Sequence, residues 1–157
     1  MAMLRVDHIA IAVRDLDAAV ERYVQGLGAE QIARKKGVEN GEPVEVAYLR
    51  LGESVVTLIS SDKPDGFVNR FIEKRGEGLH HLALETDDLD GTVANLERLG
   101  LGIPLRADLY GRREVILRPR EFAGVVLQII QWDRPAATIE ERAARIRDFE
   151  LKPAGES

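Results

Sequence analysis

Two stretches decide how this chain reads: VDHIAIAVRDLDAAVERY, from Val6 to Tyr23, and LHHLALETDDLDGTVANL, from Leu79 to Leu96. They align without a gap. His8 falls on His81, Ala10 on Ala83, Asp15 on Asp88, Leu16 on Leu89, Asp17 on Asp90 and Val20 on Val93. Ordered identities inside a shared hydrophobic pattern mark two copies of one supersecondary unit.

Each copy has the same internal order. Val6, His8, Ala10 and Ala12 alternate with Ile9, Ile11 and Val13, which is the period of a strand. The RDLD and DDLD turns supply an aspartate placed to cap the next helix. Leu16, Ala19, Val20 and Tyr23, and then Leu89, Val93 and Leu96, recur at helical spacing, and Gly28 and Gly100 stand where helices end. Strands are expected over Ala29–Arg34, Val44–Leu51 and Ser54–Ser60 in the first copy, with Gly52-Glu53 as the turn. In the second they fall over Ile103–Ala107, Arg113–Arg118 and Gly124–Gln131. Each unit is βαβββ, and the fold class is α+β. Module one covers residues 4–62, a linker helix lies within 63–78 (Phe67, Val68, Phe71 and Ile72 at helical spacing), and module two covers 79–132. Together they form a single domain, 1–132. Residues 133–157 are a helical extension, with Thr138 and Glu141 at capping-box spacing and an apolar stripe of Ile139, Ala143 and Ile146. That helix is expected to pack on its own domain or on a second subunit.

Composition narrows the chemistry. The 157 residues contain no cysteine, which excludes disulfides, thiolate-bound metal and cysteine nucleophiles. Twenty-two Lys+Arg against 27 Asp+Glu give a formal charge of −5, so there is no global basic field for nucleic acid. No run approaches the ~18 apolar residues of a membrane span, and the first residues lack a secretory layout. The expectation is a cytoplasmic domain that binds neither nucleic acid nor membrane.

The duplicated unit with a histidine near the start of both copies resembles the vicinal oxygen chelate (glyoxalase) superfamily, and within it the methylmalonyl-CoA epimerases. The stretches that carry the resemblance are VDHIAIAVRDLDAAVERY, VEVAYLRLGES, FIEKRGEGLHHLALETDDLD and LRPREFAGVVLQIIQ, across about residues 4–132. The resemblance implies two modules curled into a U-shaped half-barrel around a divalent metal (Co, Zn, Ni, Mn or Fe). It implies one histidine and one oxygen ligand from each module, which places His8, Thr57, His81 and Gln128 at the metal. It also implies a homodimer and enolisation of a small acyl substrate, an acyl-CoA thioester among the candidates. Epimerases usually carry Glu or Gln at both oxygen positions, so Thr57 departs from the pattern. Gln128 offers a neutral carbonyl oxygen but cannot shuttle a proton.

The missing carboxylate chemistry points to Glu45, on the strand of the first hairpin, as the base, with Gln128 as its partner at the reacting centre. Glu114 is its counterpart in module two. Both also read as solvent-facing charges. Abstraction and return of an α-proton require a base and an acid, with a metal stabilising the enolate. His80 neighbours His81 and on a regular strand points to the opposite face. The basic runs Arg34-Lys35-Lys36 and Arg112-Arg113, with Arg118 and Arg120, read as solvated loop charges or as contacts for CoA phosphates. Trp132 reads as packing. Two alternatives stay open: another glyoxalase-type isomerase or lyase, and a metal-free member that binds a small molecule without turning it over.

Overall fold

The computed structural model describes residues 2–153; Met1 and residues 154–157, the tip of the extension, lie outside the described residues. Module one runs β1 (Met3–Ala12), α1 (Leu16–Glu21, continuing as a π-helical turn Arg22–Gly26), β2 (Glu30–Glu39), β3 (Glu42–Leu51) and β4 (Ser54–Ser60). Helix α2 (Phe67–Arg75) links it to β5 (Gly78–Thr86), α3 (Leu89–Arg98), β6 (Leu105–Leu109), β7 (Arg112–Leu117) and β8 (Leu127–Trp132). Helix α4 (Ile139–Asp148) follows. None of these helices is long and apolar enough to cross a membrane.

The strands form one sheet in the order β2-β3-β4-β1-β5-β8-β7-β6, curled into a half-barrel. The modules meet at the antiparallel β1–β5 pair, so the two copied stretches lie side by side at its centre. Asp15 and Asp88 cap α1 and α3, accepting from the backbone N–H groups of Ala18 and Gly91 at 3.0 and 2.9 Å. Those helices cover the convex face, each over its own module. α1 packs on Ala47, Leu49 and Leu58, and α3 on Val115, Leu117 and Ile129.

The concave face holds the larger core. Val44, Val46, Tyr48, Val55, Ile59, Ile130 and Trp132 pack there with Val68 and Ile72 of α2 and with Ile139 and Ile146 of α4. Thr138 and Glu141 form the capping box of α4, and with Ile139 and Ile146 in this core the extension packs on its own domain. Beyond α4, Phe149 and Leu151 enter the same core. The segment after α4 is a strap: Lys152 bridges to Val38 on β2, and Glu150 bridges to Tyr110, just before β7. Lys35 donates to the carbonyls of Arg147 and Phe149 at 3.1 and 2.7 Å. Gly37 is required here, because a Cβ would run into Leu151 and the carbonyl of Lys152.

Some boundaries differ from the expectation. β2 extends to Glu39 instead of ending at Arg34, because Lys35 to Glu39 continue the antiparallel ladder with β3 up to the turn at Asn40-Gly41. β8 begins at Leu127, since residues up to Val125 form hydrogen-bonded turns after a short 3₁₀ turn, Pro119–Glu121.

Candidate active site

Strand register brings the four expected ligand positions together on the concave face. Tyr48, Thr57, Ala10 and His81 are successive cross-strand partners, forming one row. His8, Ala83, Gln128 and Ile116 form the adjacent row. The rings of His8 and His81 lie edge-to-face with centroids 5.6 Å apart. His8, Thr57 and Gln128 are buried, and His81 is partly so.

Two β-bulges shape this site. Between Val6 and His8 the register slips opposite Leu84 and Ala83, leaving Asp7 as the extra residue; between Ala10 and Ile11 it slips again, leaving His80 unpaired. Asp7 and His80 occupy equivalent positions of the two copies. A bulge lets neighbouring side chains turn the same way. Asp7 Oδ1 therefore accepts from His8 Nδ1 at 2.7 Å, and the Nδ1 atoms of His80 and His81 stand 2.8 Å apart. This corrects the expectation that His80 faces away from His81; its ring packs on Phe71 of α2, centroids 4.8 Å apart.

The electrostatics follow from burial. Desolvation by itself raises the Asp7 carboxyl, but the hydrogen bonds from His8 and Trp132 and the nearby Arg112 hold it well below the usual carboxylate range. Burial pushes His80 down to about 4 and His81 well below the ordinary imidazole value, so both rings are neutral at pH 7. Neutral imidazoles are the form that binds metal.

The buried Oε1 of Gln128 makes no well-formed hydrogen bond, and its side chain faces His81, where it opposes the effect of burial on that imidazole. A buried acceptor left unpaired is costly, and a cation beside the two imidazoles would satisfy it. Among the described residues no cluster of three His, Cys, Asp or Glu side chains could hold a metal, so such a site rests on two imidazoles and a carboxamide, with Thr57 alongside. Nitrogen and neutral oxygen donors of this kind suit a borderline divalent ion.

Glu45 is not brought to this group. It shares its side of β3 with Ala47 and Leu49, the convex side, and its carboxylate accepts from Arg34 Nε at 2.7 Å. Glu114 does face inward. It pairs with Ile130, one row beyond Gln128, and Arg112 Nε lies 2.9 Å from its Oε2. Arg112 is neither a solvated charge nor free for a phosphate. It is 2% exposed, with its guanidinium 4.3 Å from the ring centroid of Phe149 and 5.2 Å from that of Trp132. Arg34 is likewise engaged, with Glu45 and Asp17. Glu39, at the end of β2, is pushed up to about 7 by burial first and then by Glu114. It lines, with Glu114 and Ile116, a cavity of about 210 Å³ between β2 and β6.

Sequence reasoning missed Asp7, Glu39 and the strap, read Arg112 as a solvated or phosphate-binding charge, and reduced Trp132 to packing. Trp132 Nε1 donates to Asp7 Oδ2 at 2.7 Å. One signal was present: a polar residue directly precedes the histidine in both copies, where strict alternation would place an outward-facing side chain.

Comparison with known proteins agrees with this fold. A family model described as "Glyoxalase/Bleomycin resistance protein/Dioxygenase superfamily" matches residues 7–107. The mitochondrial methylmalonyl-CoA epimerase of Homo sapiens is 28% identical over 131 residues, 81% of this chain and 73% of that one. The ethylmalonyl-CoA/methylmalonyl-CoA epimerase of Cereibacter sphaeroides is 30% identical over 133 residues, 81% of this chain and 97% of that one. A solved structure of a Streptomyces coelicolor methylmalonyl-CoA epimerase variant in complex with 2-nitronate-propionyl-CoA superposes with a TM-score of 0.77. It is 29% identical and covers 87% of this chain and 99% of its own. With a family model spanning well over half of its length and a bacterial relative matched almost end to end, the chain belongs to the Glyoxalase/Bleomycin resistance protein/Dioxygenase superfamily.

Proposed function

We propose that this chain is a metal-dependent epimerase that enolises the carbon next to the thioester carbonyl of a small acyl-CoA. The observation that carries the reading is the convergence of His8, His81 and the buried carboxamide of Gln128 on one concave face. The relatives and solved structures described above, whose names are those of epimerases, support the reaction class, and the Streptomyces protein holds an acyl-CoA analogue. None of them favours the lyase alternative.

His8, His81 and Gln128 would hold the ion, with Thr57 beside them. A bound divalent metal supplies Lewis-acid stabilisation of the enolate oxygen. The carboxyl pair Glu114 and Glu39 is the acid–base equipment, in place of Glu45. Glu114, one row beyond Gln128 and ion-paired with Arg112, is the group that exchanges a proton with the α-carbon, and Glu39, which lines one cavity with it, is its proton partner. Inversion requires that the proton return to the face of the planar enolate opposite the one it left.

We assign the chain to the cytoplasm as a homodimer. Support for the dimer comes from the seam of the convex face between α1 and α3, where Val6, Ile9 and Leu79 stay exposed. Sedimentation at micromolar concentration tests it; a monomer at every concentration rejects it.

The test of function is deuterium uptake at the α-carbon of methylmalonyl-CoA in heavy water, with protein and added cobalt. Uptake faster than with cobalt alone is expected. A folded, metal-loaded protein that gives no uptake rejects enolisation of this substrate. The second reading, a binding protein without turnover, is favoured by how fully the strap and α4 fill the concave face. No uptake together with no bound metal would select it.

A further inference from the structure

Asp7 is 4% exposed, yet nothing in the enolisation chemistry uses it. Taking a carboxylate out of water is unfavourable unless its oxygens are engaged, and here both are. Oδ1 accepts from His8 Nδ1 and Oδ2 from Trp132 Nε1, both at 2.7 Å. Arg142 donates to the Asp7 carbonyl at 2.8 Å, and Arg145 stands 3.7 Å from Oδ2. A structural ion pair with Arg145 does not account for this arrangement. Arg145 has a shorter partner in Glu85, at 2.8 Å, and Asp7 makes its shortest contacts with the histidine and the tryptophan.

An ionised carboxylate only accepts. Nδ1 of His8 is then the nitrogen that bears hydrogen in this pair, which leaves Nε2 as the nitrogen available to a metal. Carboxylate–histidine pairs of this kind orient metal-binding imidazoles and raise their basicity. We propose that Asp7 is a positioning residue of the metal site, which fixes the ring and tautomer of His8 and places beside it the negative charge that His8, His81, Gln128 and Thr57 lack. His80 holds the equivalent bulge position against His81, but as a neutral partner. Module one therefore supplies the anion. Trp132, Arg142 and Arg145 connect that anion to the last strand and the C-terminal helix, so the extension braces the metal site from outside the duplicated modules.

This inference rests on the metal reading above, and its test separates the two. Apoprotein, as the full chain, is titrated with cobalt and followed by visible absorption, for wild type and Asp7→Asn, with circular dichroism to confirm folding. Asp7→Asn keeps the shape but removes the charge, and a 10- to 100-fold weaker cobalt affinity is expected. In parallel, ¹⁵N NMR of the metal-free wild type is expected to show His8 as the Nδ1–H tautomer. Equal cobalt affinity of the two folded proteins overturns the inference and leaves the metal reading standing. An Nε2–H tautomer at His8 overturns it whether or not Asp7→Asn folds. If wild type itself binds no cobalt, the metal reading fails and the inference with it.

Discussion

Module one lines the concave face with Val44, Val46, Tyr48, Val55 and Ile59, whereas module two lines it with Glu85, Arg112, Glu114, Gln128 and Ile130. The strands, the capped helices and the bulges are duplicated; the chemistry is not. One half is a packing surface for α4 and the strap, and the other carries most of the buried charge. Duplication gives the chain two equal frames, and only the central β1–β5 pair, with its two histidines, is used alike by both.

Breaking that asymmetry at its strongest point means removing the inward carboxylate of module two. Glu114→Gln is expected to slow deuterium uptake by about 10²- to 10⁴-fold, the contribution of a positioned general base. Uptake at the wild-type rate in folded protein would return the base to another group. On the packing side, Phe149→Ala leaves a void among Tyr48, Trp132 and Arg112. It is expected to cost about 3–5 kcal/mol in urea unfolding. A loss below ~1 kcal/mol would mean that the strap contributes little to the core.

Glu39 sharpens the comparison by pH. Its folded value of about 7 lies above the ordinary 4.5, so the folded state binds the proton more tightly. Its contribution to stability is therefore full at acidic pH, falls as pH rises through that interval, and levels off above about 7. Glu39→Gln is expected to match wild type near pH 4.5 and exceed it by roughly 1–2 kcal/mol at pH 8. Equal stability across that range would show that Glu39 is solvated. The smallest effect belongs to Glu45, whose pair with Arg34 is partly exposed on the convex side. Glu45→Gln is expected to change uptake less than twofold and stability by under ~1 kcal/mol. A hundredfold loss of uptake would overturn the inward–outward assignment of β3.

The sequence was legible where a physical rule is local. Helix caps at Asp15, Asp88 and Thr138, the turn at Gly52-Glu53 and the span of β4 follow from residues within a few positions of one another. The histidine pair followed from the repeat. Strand parity was harder. A bulge adds one residue, and Asp7-His8 and His80-His81 are polar on both sides of the slip, so the hydrophobic alternation does not record it. Glu45 was misplaced because one polar residue among Val44, Val46 and Ala47 does not say which face is buried when both are. Arg112 and Phe149 lie 37 residues apart and meet only because the strap crosses the mouth of the sheet. No local pattern marks an arginine that a distant phenylalanine will cover.

The strap also settles how this sheet ends. An open sheet has two outer strands whose unpaired backbone groups invite a further strand from another molecule. Here the outer side of β2 is met at Val38 by Lys152, with Leu151 packed against Gly37. A few residues after α4 therefore cover one of the two edges at which edge-to-edge assembly begins, and the enclosure that shapes the cup also shields the β2 side of the sheet.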